Sequence, residues 1–528
     1  MTGVQTCLFR SERLFGIETE YALTAAAEDG LKPDVDAHQH RLMAIAERQL
    51  PHLNADGKGI FLQNGSKFLI DCGGHPEMAI PECANPWDVV RYVLAGERIL
   101  AGLTWDPLQP RAGLLPATFL KCNVDYGGNR TTWGCHESYL HTVDPSQLPR
   151  YVIPHLVSRV VYTGAGGFDP RSTGVQFILS PRSCYLMKAV SGESMSDRGL
   201  FHTKNESLCR NGYGRLHVLV GESLCSHTGM WLKTAATALI VAMIEGGVCP
   251  SDTVALADPV DALHTIANDV TCTATVLKAD GSRATALAIQ RLYLAQAEAH
   301  QHARFMPPWA PEACARWRHV LDLLEHAPEA VETTLDWAIK RALFVRHAER
   351  RRIQWETLPR WTHVAATADA ERMGAEHGGS PGSREFRRFL NLRTELFEID
   401  MRFGQIGGGA PGVFAALDKA GVLTHQVPGV DNGEHAIKNP PAIGRAQLRG
   451  RMVRQLAPNS GRYLCGWTGI IDRQDGCLLD LNDPFETAER WQPQQSSRAS
   501  ESFCVEVWIA GNVRVLQDRA QVRAHVTA

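Results

Sequence analysis

Apolar and polar residues alternate with a period of two through much of the first half of the chain. That spacing turns one side of a β-strand toward a core. Leu14 to Thr24, Gly59 to Asp71, Thr118 to Asn123, Trp133 to Val143, Gly174 to Leu179 and Arg215 to Val220 are rich in strand formers and predict strands. Inside the second of these, Asn64-Gly65 separates Ile60-Phe61-Leu62-Gln63 from Ser66-Lys67-Phe68-Leu69-Ile70-Asp71. The pair supplies the two positive-φ residues of a type I′ turn, so a hairpin is predicted.

Helical periods fall between and after the strands. Asn85 is placed to cap a helix running to about Leu103, with Pro86 in its first turn. Trp231 to Glu245 reads as a mostly buried helix closed by Gly246-Gly247. Asp36 to Leu50, Ser282 to His302 and Pro311 to Phe344 carry further helical patterns. Strands first and helices later predict an α+β fold with antiparallel pairing rather than a doubly wound sheet. Periodicity is absent from Met1 to Glu12, which reads as a leader outside the fold. It lapses again from Ala365 to Arg384, around His377-Gly378-Gly379-Ser380-Pro381-Gly382. A boundary follows near Asn439-Pro440-Pro441. The expected division is a large domain over 14–438, with a flexible insertion at about 365–384, and a small C-terminal α+β domain over 439–528. The small domain carries a basic helix, Arg445 to Leu456, and hairpins turning at Gln474-Asp475-Gly476 and Ala510-Gly511-Asn512, with a loose polar stretch from Gln492 to Ser502 between them.

Composition narrows the class. A chain that is 44% hydrophobic and 21% charged is neither disordered nor a coiled coil. Its formal charge of −3 argues against holding duplex nucleic acid on a broad basic face. The longest apolar run, Ala235 to Ile244, falls far short of the roughly 20 residues of a membrane span. No charged segment followed by an apolar one opens the chain, and the 14 cysteines stand without a C-x-x-C pair. Together these predict reduced thiols and a cytoplasmic protein. Neither G-x-G-x-x-G nor G-x-x-x-x-G-K follows a strand.

Candidate chemistry sits in strand-borne polar clusters. Glu18 and Glu20 in GIETEY point to one strand face, about 7 Å apart. Asp71 and Glu77 flank a tight turn, and His136, Glu137, Arg215 and His217 interrupt apolar strands. Carboxylates converging on one sheet repel each other unless a divalent cation neutralises them, and hard oxygen ligands suit Mg2+. Lys67 and Arg215 then suit a polyphosphate, one as a point charge and the other as a fork. Taken singly, the same residues fit solvated strand faces and satisfied core histidines.

GIETEY, NGSKFLIDCGGHPEMAIPEC, WGCHESYL, RLHVLVGES and NPPAIGRAQLRG, in this order from about Leu14 to Phe485, resemble the Pup–protein ligase and Pup deamidase (depupylase) family. The resemblance implies the carboxylate–amine ligase fold of glutamine synthetase, a large domain with a curved, mainly antiparallel sheet backed by helices. It implies ATP and Mg2+ as cofactors, and as partners a protein tag ending in glutamate and lysine-bearing targets. By the resemblance Asp71 is the catalytic base. Glu18 and Glu77 hold metal, and Lys67 and Trp467 contact the nucleotide. Glu20, His136 and Glu137 are candidate metal ligands, and Arg215 and His217 candidate nucleotide contacts, from charge and strand placement. Leu69 stands where the family has tyrosine, and Lys67 where it has arginine. Lys204-Asn205 replaces an Arg–Asp pair, and Arg451 an acid. These departures point to a related tag, such as a UBact-like modifier. The basic helix at Arg445, Arg449 and Arg451 speaks for an acidic tag. The short Thr24 to Gly59 segment and Asn482-Asp483-Pro484-Phe485 favour the ligase, while Pro81 and Asn123-Val124-Asp125 favour the depupylase. An inactive nucleotide-binding regulator and a small-molecule ligase stay open as alternatives.

Overall fold

The computed structural model describes residues 11–24, 35–103, 118–128, 130–192, 198–202, 208–209, 212–248, 252–359, 361–362, 384–431, 433–494, 505–509 and 512–516. The leader to residue 10, nearly all of the 365–384 insertion, residues 203–207, residues 495–502 and the turn at 510–511 lie outside the described residues. Thirteen short strands form one sheet. In chain order they are β1 Phe15–Glu20, β2 His52–Ala55, β3 Ile60–Leu62, β4 Lys67–Ile70, β5 Pro76–Ala79, β6 Cys135–His141, β7 Lys188–Ser191, β8 Gly199–His202, β9 Gly214–Val218, β10 Tyr463–Cys465, β11 Gly469–Asp472, β12 Cys477–Asp480 and β13 Trp491–Pro493. Across the sheet they run β7-β8-β9-β6-β1-β5-β4-β3-β2-β10-β11-β12-β13. Pairing is antiparallel except for β7 on β8 and β10 on β2. The sheet is curled and backed by helices, the architecture expected from the sequence.

The alternation along each strand decides which face the helices cover. On β1, Phe15, Ile17 and Thr19 are buried in the helix-backed layer, and Glu18 and Glu20 take the other face. On β6, Cys135, Glu137, Tyr139 and His141 are buried, while His136, Ser138 and Leu140 point into the open side. The backing layer is centred on α2 (Pro86–Leu103) and α4 (His227–Glu245). Asn85 accepts from the Asp88 amide at 2.9 Å, as a cap should. Helix α4 starts earlier than the apolar pattern suggested, because Ser226 caps it by accepting from Gly229 at 3.2 Å. The remaining helices used below are α1 (Val35–Gln49), α3 (Leu148–Ser158), α5 (Ala286–His300), α6 (Ala310–His326), α7 (Asp336–Arg350), α8 (Arg384–Met401) and α9 (Arg445–Leu456). Among the described residues no helix is long and apolar enough to cross a membrane.

Three local expectations need correction. The hairpin between β3 and β4 forms, but only Gly65 has positive φ, at 86°. The Gly65 amide donates to Leu62 at 2.9 Å and the Leu62 amide to Ser66 at 2.8 Å, a three-residue loop closed by one left-handed glycine rather than a type I′ turn. Asn64 is fully buried instead, donating to the Ala436 carbonyl at 2.9 Å. Second, the pattern over Pro311 to Phe344 is two helices. Pro328 offers no N–H and drives Ala327 to φ −147°, so α6 stops at His326 and α7 begins at Asp336. Third, the Gly174–Leu179 strand shrinks to Phe177–Ile178, paired with Gly167–Phe168.

The basic helix α9 also departs from expectation. Arg445 donates to Glu82 at 2.7 Å, Arg449 donates to the same carboxylate, and both arginines are buried. Burial alone raises the Glu82 pKa, but the two guanidinium groups outweigh it and hold the carboxyl at about 2. These arginines tie α9 to the turn after β5 and offer no face to an acidic partner. Arg451 is exposed, 3.8 Å from Glu489, and so is Arg454, which donates to the Asn439 side chain at 3.0 Å. Because the folded pKa of Glu82 is depressed, its contribution is fully present above about pH 4.5 and fades as the pH falls towards 2. Glu82→Gln is expected to lower stability by roughly 2 kcal/mol at neutral pH, measured by urea unfolding, because it leaves two buried cations without an anion.

Candidate functional site

The open face of the sheet gathers acids from neighbouring strands by register alone. Glu20 on β1 lies directly opposite Glu77 on β5, and Glu18 lies opposite His136 on β6. Like charges opposed across a ladder destabilise it, so the pairing has a cost that folding does not require. Glu77 carries the sign of that cost. Burial and the charges of Glu18, Glu20 and Asp71 push its carboxyl well above the usual range, with Lys67 opposing them. Lys67 sits on β4, its ammonium 5.7 Å from the Phe61 ring, and burial holds its pKa below the ordinary lysine value. Leu69, opposite Glu77, brings no ligand.

Asp71 follows β4 and is fixed by the turn that leads to β5. Its carboxylate accepts from the His75 amide at 2.6 Å and lies 3.3 Å from the His75 ring nitrogen. The glycines between them make this possible. Gly74 has φ 79°, and a Cβ on Gly73 would stand 2.9 Å from the His75 ring. Burial would raise the Asp71 pKa, but the hydrogen bonds from His75 outweigh it and keep the carboxyl below its ordinary value. In turn Asp71 overcomes the burial of His75 and raises that imidazole. One oxygen of Glu20 lies 3.8 Å from the same ring nitrogen.

Two sets of donor atoms result, each within 4.8 Å of one another: Glu20, Asp71 and His75, and Glu18, His136 and His217. His217 on β9 packs edge-on against His136 with ring centres 5.4 Å apart and stacks on His202 at 5.6 Å. Burial, His217 and Arg182 hold the His136 pKa well below the usual histidine value. Arg215 lies 3.9 Å from Glu18. Beside them a cleft opens between Glu18, Arg215, Leu208, Pro484 and Trp467. The Trp467 ring meets Phe61 edge-on at 5.0 Å and carries the Arg449 guanidinium 4.7 Å from its centre.

Glu137 is not brought into this site. It points to the helix-backed face, fully buried, where Arg159 grips it in a fork at 2.6 and 2.9 Å and Tyr139 donates at 2.5 Å. The period of two that sends His136 into the basin sends its neighbour through the floor, so the expectation of Glu137 as a metal ligand is corrected. Sequence reasoning also missed two residues. His75 lay inside a quoted motif without a role. Arg182 lies on a short turn, Pro181–Tyr185, that no periodicity marks. Its guanidinium is 3% exposed, donates to Thr132 at 2.9 Å and lies 3.3 Å from His136. Among the described residues no carboxylate forms an ion pair with it.

Acids, imidazoles and cations collected on the open side of a curled antiparallel sheet, next to a cleft walled by an aromatic ring, define an enzyme of the carboxylate–amine ligase class. A family model described as Pup-ligase protein matches residues 13–365. Pup–protein ligase 1 of Rhodococcus erythropolis is 30% identical over 491 residues, covering 90% of this chain and 97% of that protein. The Pup–protein ligase of Xylanimonas cellulosilytica is 35% identical over 496 residues with the same coverage. Among solved structures, the complex of the prokaryotic ubiquitin-like protein Pup with its ligase PafA superposes with a TM-score of 0.72 at 25% identity, over 91% of this chain and 90% of that one. PafA in complex with ADP superposes at 0.65 and 24% identity, over 92% and 97%. The chain belongs to the Pup-ligase protein family.

Proposed function

We propose that this protein is an ATP-dependent ligase that joins the side-chain carboxylate of a C-terminal glutamate, on a Pup-like tag, to a lysine of a target protein. The observation that carries the reading is the convergence of Glu18, Glu20, Glu77 and Asp71 on one open face beside the Trp467 cleft. Relatives named as Pup–protein ligases along nearly the whole chain support it over the hydrolase. Mg2+ suits this donor set. Glu77 is held above its usual range by unneutralised neighbours, which a cation shared with Glu18 and Glu20 relieves. When bound, that ion supplies charge for the phosphoryl oxygens of ATP.

The chain's own residues divide the remaining work. Trp467 offers a face for the adenine. Lys67, Arg215 and Arg182 supply positive charge along the phosphates, and Arg182, which forms no ion pair with a carboxylate among the described residues, is the best placed to gain from an anion. The tag carboxylate attacks the terminal phosphorus and ADP leaves, giving an acyl phosphate on the tag. A lysine amine then displaces phosphate, and Asp71, ionised and anchored by His75, accepts the proton that the nitrogen sheds. Incubation with ATP, Mg2+ and a tag ending in glutamate is expected to release ADP and build higher-mass adducts on lysine-bearing protein, resolved by mass spectrometry. Stripping of preformed adducts without synthesis replaces this reading with the depupylase one. Nucleotide binding without turnover replaces it with the regulator.

A further inference from the structure

Arg182 owes its place to the turn Pro181–Tyr185, and its own N–H is the first free donor there because Pro181 carries none. The residue before such a turn ordinarily caps that donor. Ser180 makes no capping bond, and its carbonyl takes the Ser183 hydroxyl at 2.6 Å instead. The cap comes from 40 residues along the chain. One carboxylate oxygen of Glu222 accepts from the Arg182 amide at 2.8 Å, and the other accepts from the Ala165 amide at 2.7 Å. Glu222 is 2% exposed, and among the described residues its carboxylate forms no ion pair. The nearby Lys233 ammonium donates to the Glu222 main-chain carbonyl at 3.0 Å. Burial raises the Glu222 pKa and the two amides oppose it. An acid buried with no cation to pair it is a costly way to fill space, so its bonds to the two amides need a reason.

The reason lies at the other end of the arginine. Its Nε donates to the Leu219 carbonyl at 3.3 Å and its Nη1 to Thr132 at 2.9 Å. Thr132 donates in turn to the Asn123 carbonyl at 2.7 Å, and the Asn123 side chain accepts from the Ser223 amide at 2.8 Å. The stretch from Leu219 to Ser223 therefore braces Arg182 at both its backbone and its head. What remains is Nη2, on the basin side, 3.3 Å from the His136 ring nitrogen. Gly134 leaves the room for it: a Cβ there would stand 2.5 Å from the His136 ring and 2.9 Å from Nη2. Leu219, Thr132 and His136 are neutral partners. A buried guanidinium held only by neutral groups has its charge uncompensated until an anion arrives.

We propose that Glu222 is a positioning residue: by capping the turn from behind, it holds the Arg182 guanidinium where the phosphates of ATP arrive. The inference rests on the reading of Arg182 given above. Glu222→Gln keeps the volume but turns an NH2 group towards one of the two amides, which releases the turn on that side. It is expected to lower kcat/KM for ATP by about tenfold in the conjugation assay, mostly through KM. Arg182→Ala is expected to lose about a hundredfold. The deciding measurement is the double variant. Without the arginine there is nothing left to aim, so adding Glu222→Gln to Arg182→Ala should cost less than about twofold more. A further full tenfold loss makes Glu222 a general support of the fold and overturns the proposal, as does a wild-type kcat/KM in Glu222→Gln. Where Glu222→Gln does not fold, Glu222→Asp carries the same cycle, since it keeps the charge but withdraws it by one methylene. Wild-type kinetics in Arg182→Ala overturn the role of Arg182 on the phosphates, and this inference with it, while leaving the ligase reading in place. Absence of conjugation by the wild-type protein overturns the ligase reading and both roles together.

Discussion

Asp71→Asn is expected to lower the rate of isopeptide formation by about two to four orders of magnitude while nucleotide affinity changes little. The asymmetry follows from where Asp71 sits. Its carboxylate is bonded to the His75 amide at 2.6 Å at the end of a strand, and it does not line the Trp467 cleft. Asparagine keeps a carbonyl oxygen for that amide, so the turn survives. What disappears is the negative charge that, on the proposed reading, attracts a lysine ammonium and takes its proton. Hydrogen bonds from His75 hold the Asp71 pKa below its ordinary value, which guarantees ionisation at neutral pH but makes a weak base. Proton transfer must then accompany formation of the new C–N bond rather than precede it. Single-turnover conjugation assays alongside fluorescent-nucleotide titration separate the two effects. Conjugation by Asp71→Asn at the wild-type rate removes Asp71 from the mechanism.

Glu77→Gln is expected to act in opposite directions on stability and on activity. In the protein without bound cation, burial and three neighbouring acids raise the Glu77 pKa. The native state then binds more protons than the unfolded chain. Stability is fully present below the ordinary glutamate value and falls as the pH rises through the raised one. Glutamine removes that charge and most of the slope. The variant should unfold at higher urea than wild type at pH 7.5 in EDTA, and the advantage should narrow towards pH 5. With ATP and Mg2+ the order should reverse, because the variant lacks the oxygen that the proposed reading gives to the cation, and conjugation should fall by about a hundredfold or more. A variant no more stable than wild type in EDTA, with full activity, is incompatible with Glu77 as a shared ligand.

Much of this site was legible because strands announce their faces. The two-residue spacing of Glu18 and Glu20, and the acids bracketing a turn at Asp71 and Glu77, are statements about one sheet surface. The same rule applied one residue further would have excluded Glu137, since His136 and Glu137 cannot share a face. Arg182 was not legible, because an irregular turn positions it and turns lack a period. The turn at Asn64-Gly65 was misjudged for a tertiary reason: Asn64 is drawn inward by Ala436, hundreds of residues away.

Strand β2 accepts its second neighbour, β10, from far along the chain, and Trp467 follows two residues after β10 ends. During synthesis the edge of β2 therefore stays bare, and the wall that Trp467 gives the cleft is missing, until residues 463–467 have been made.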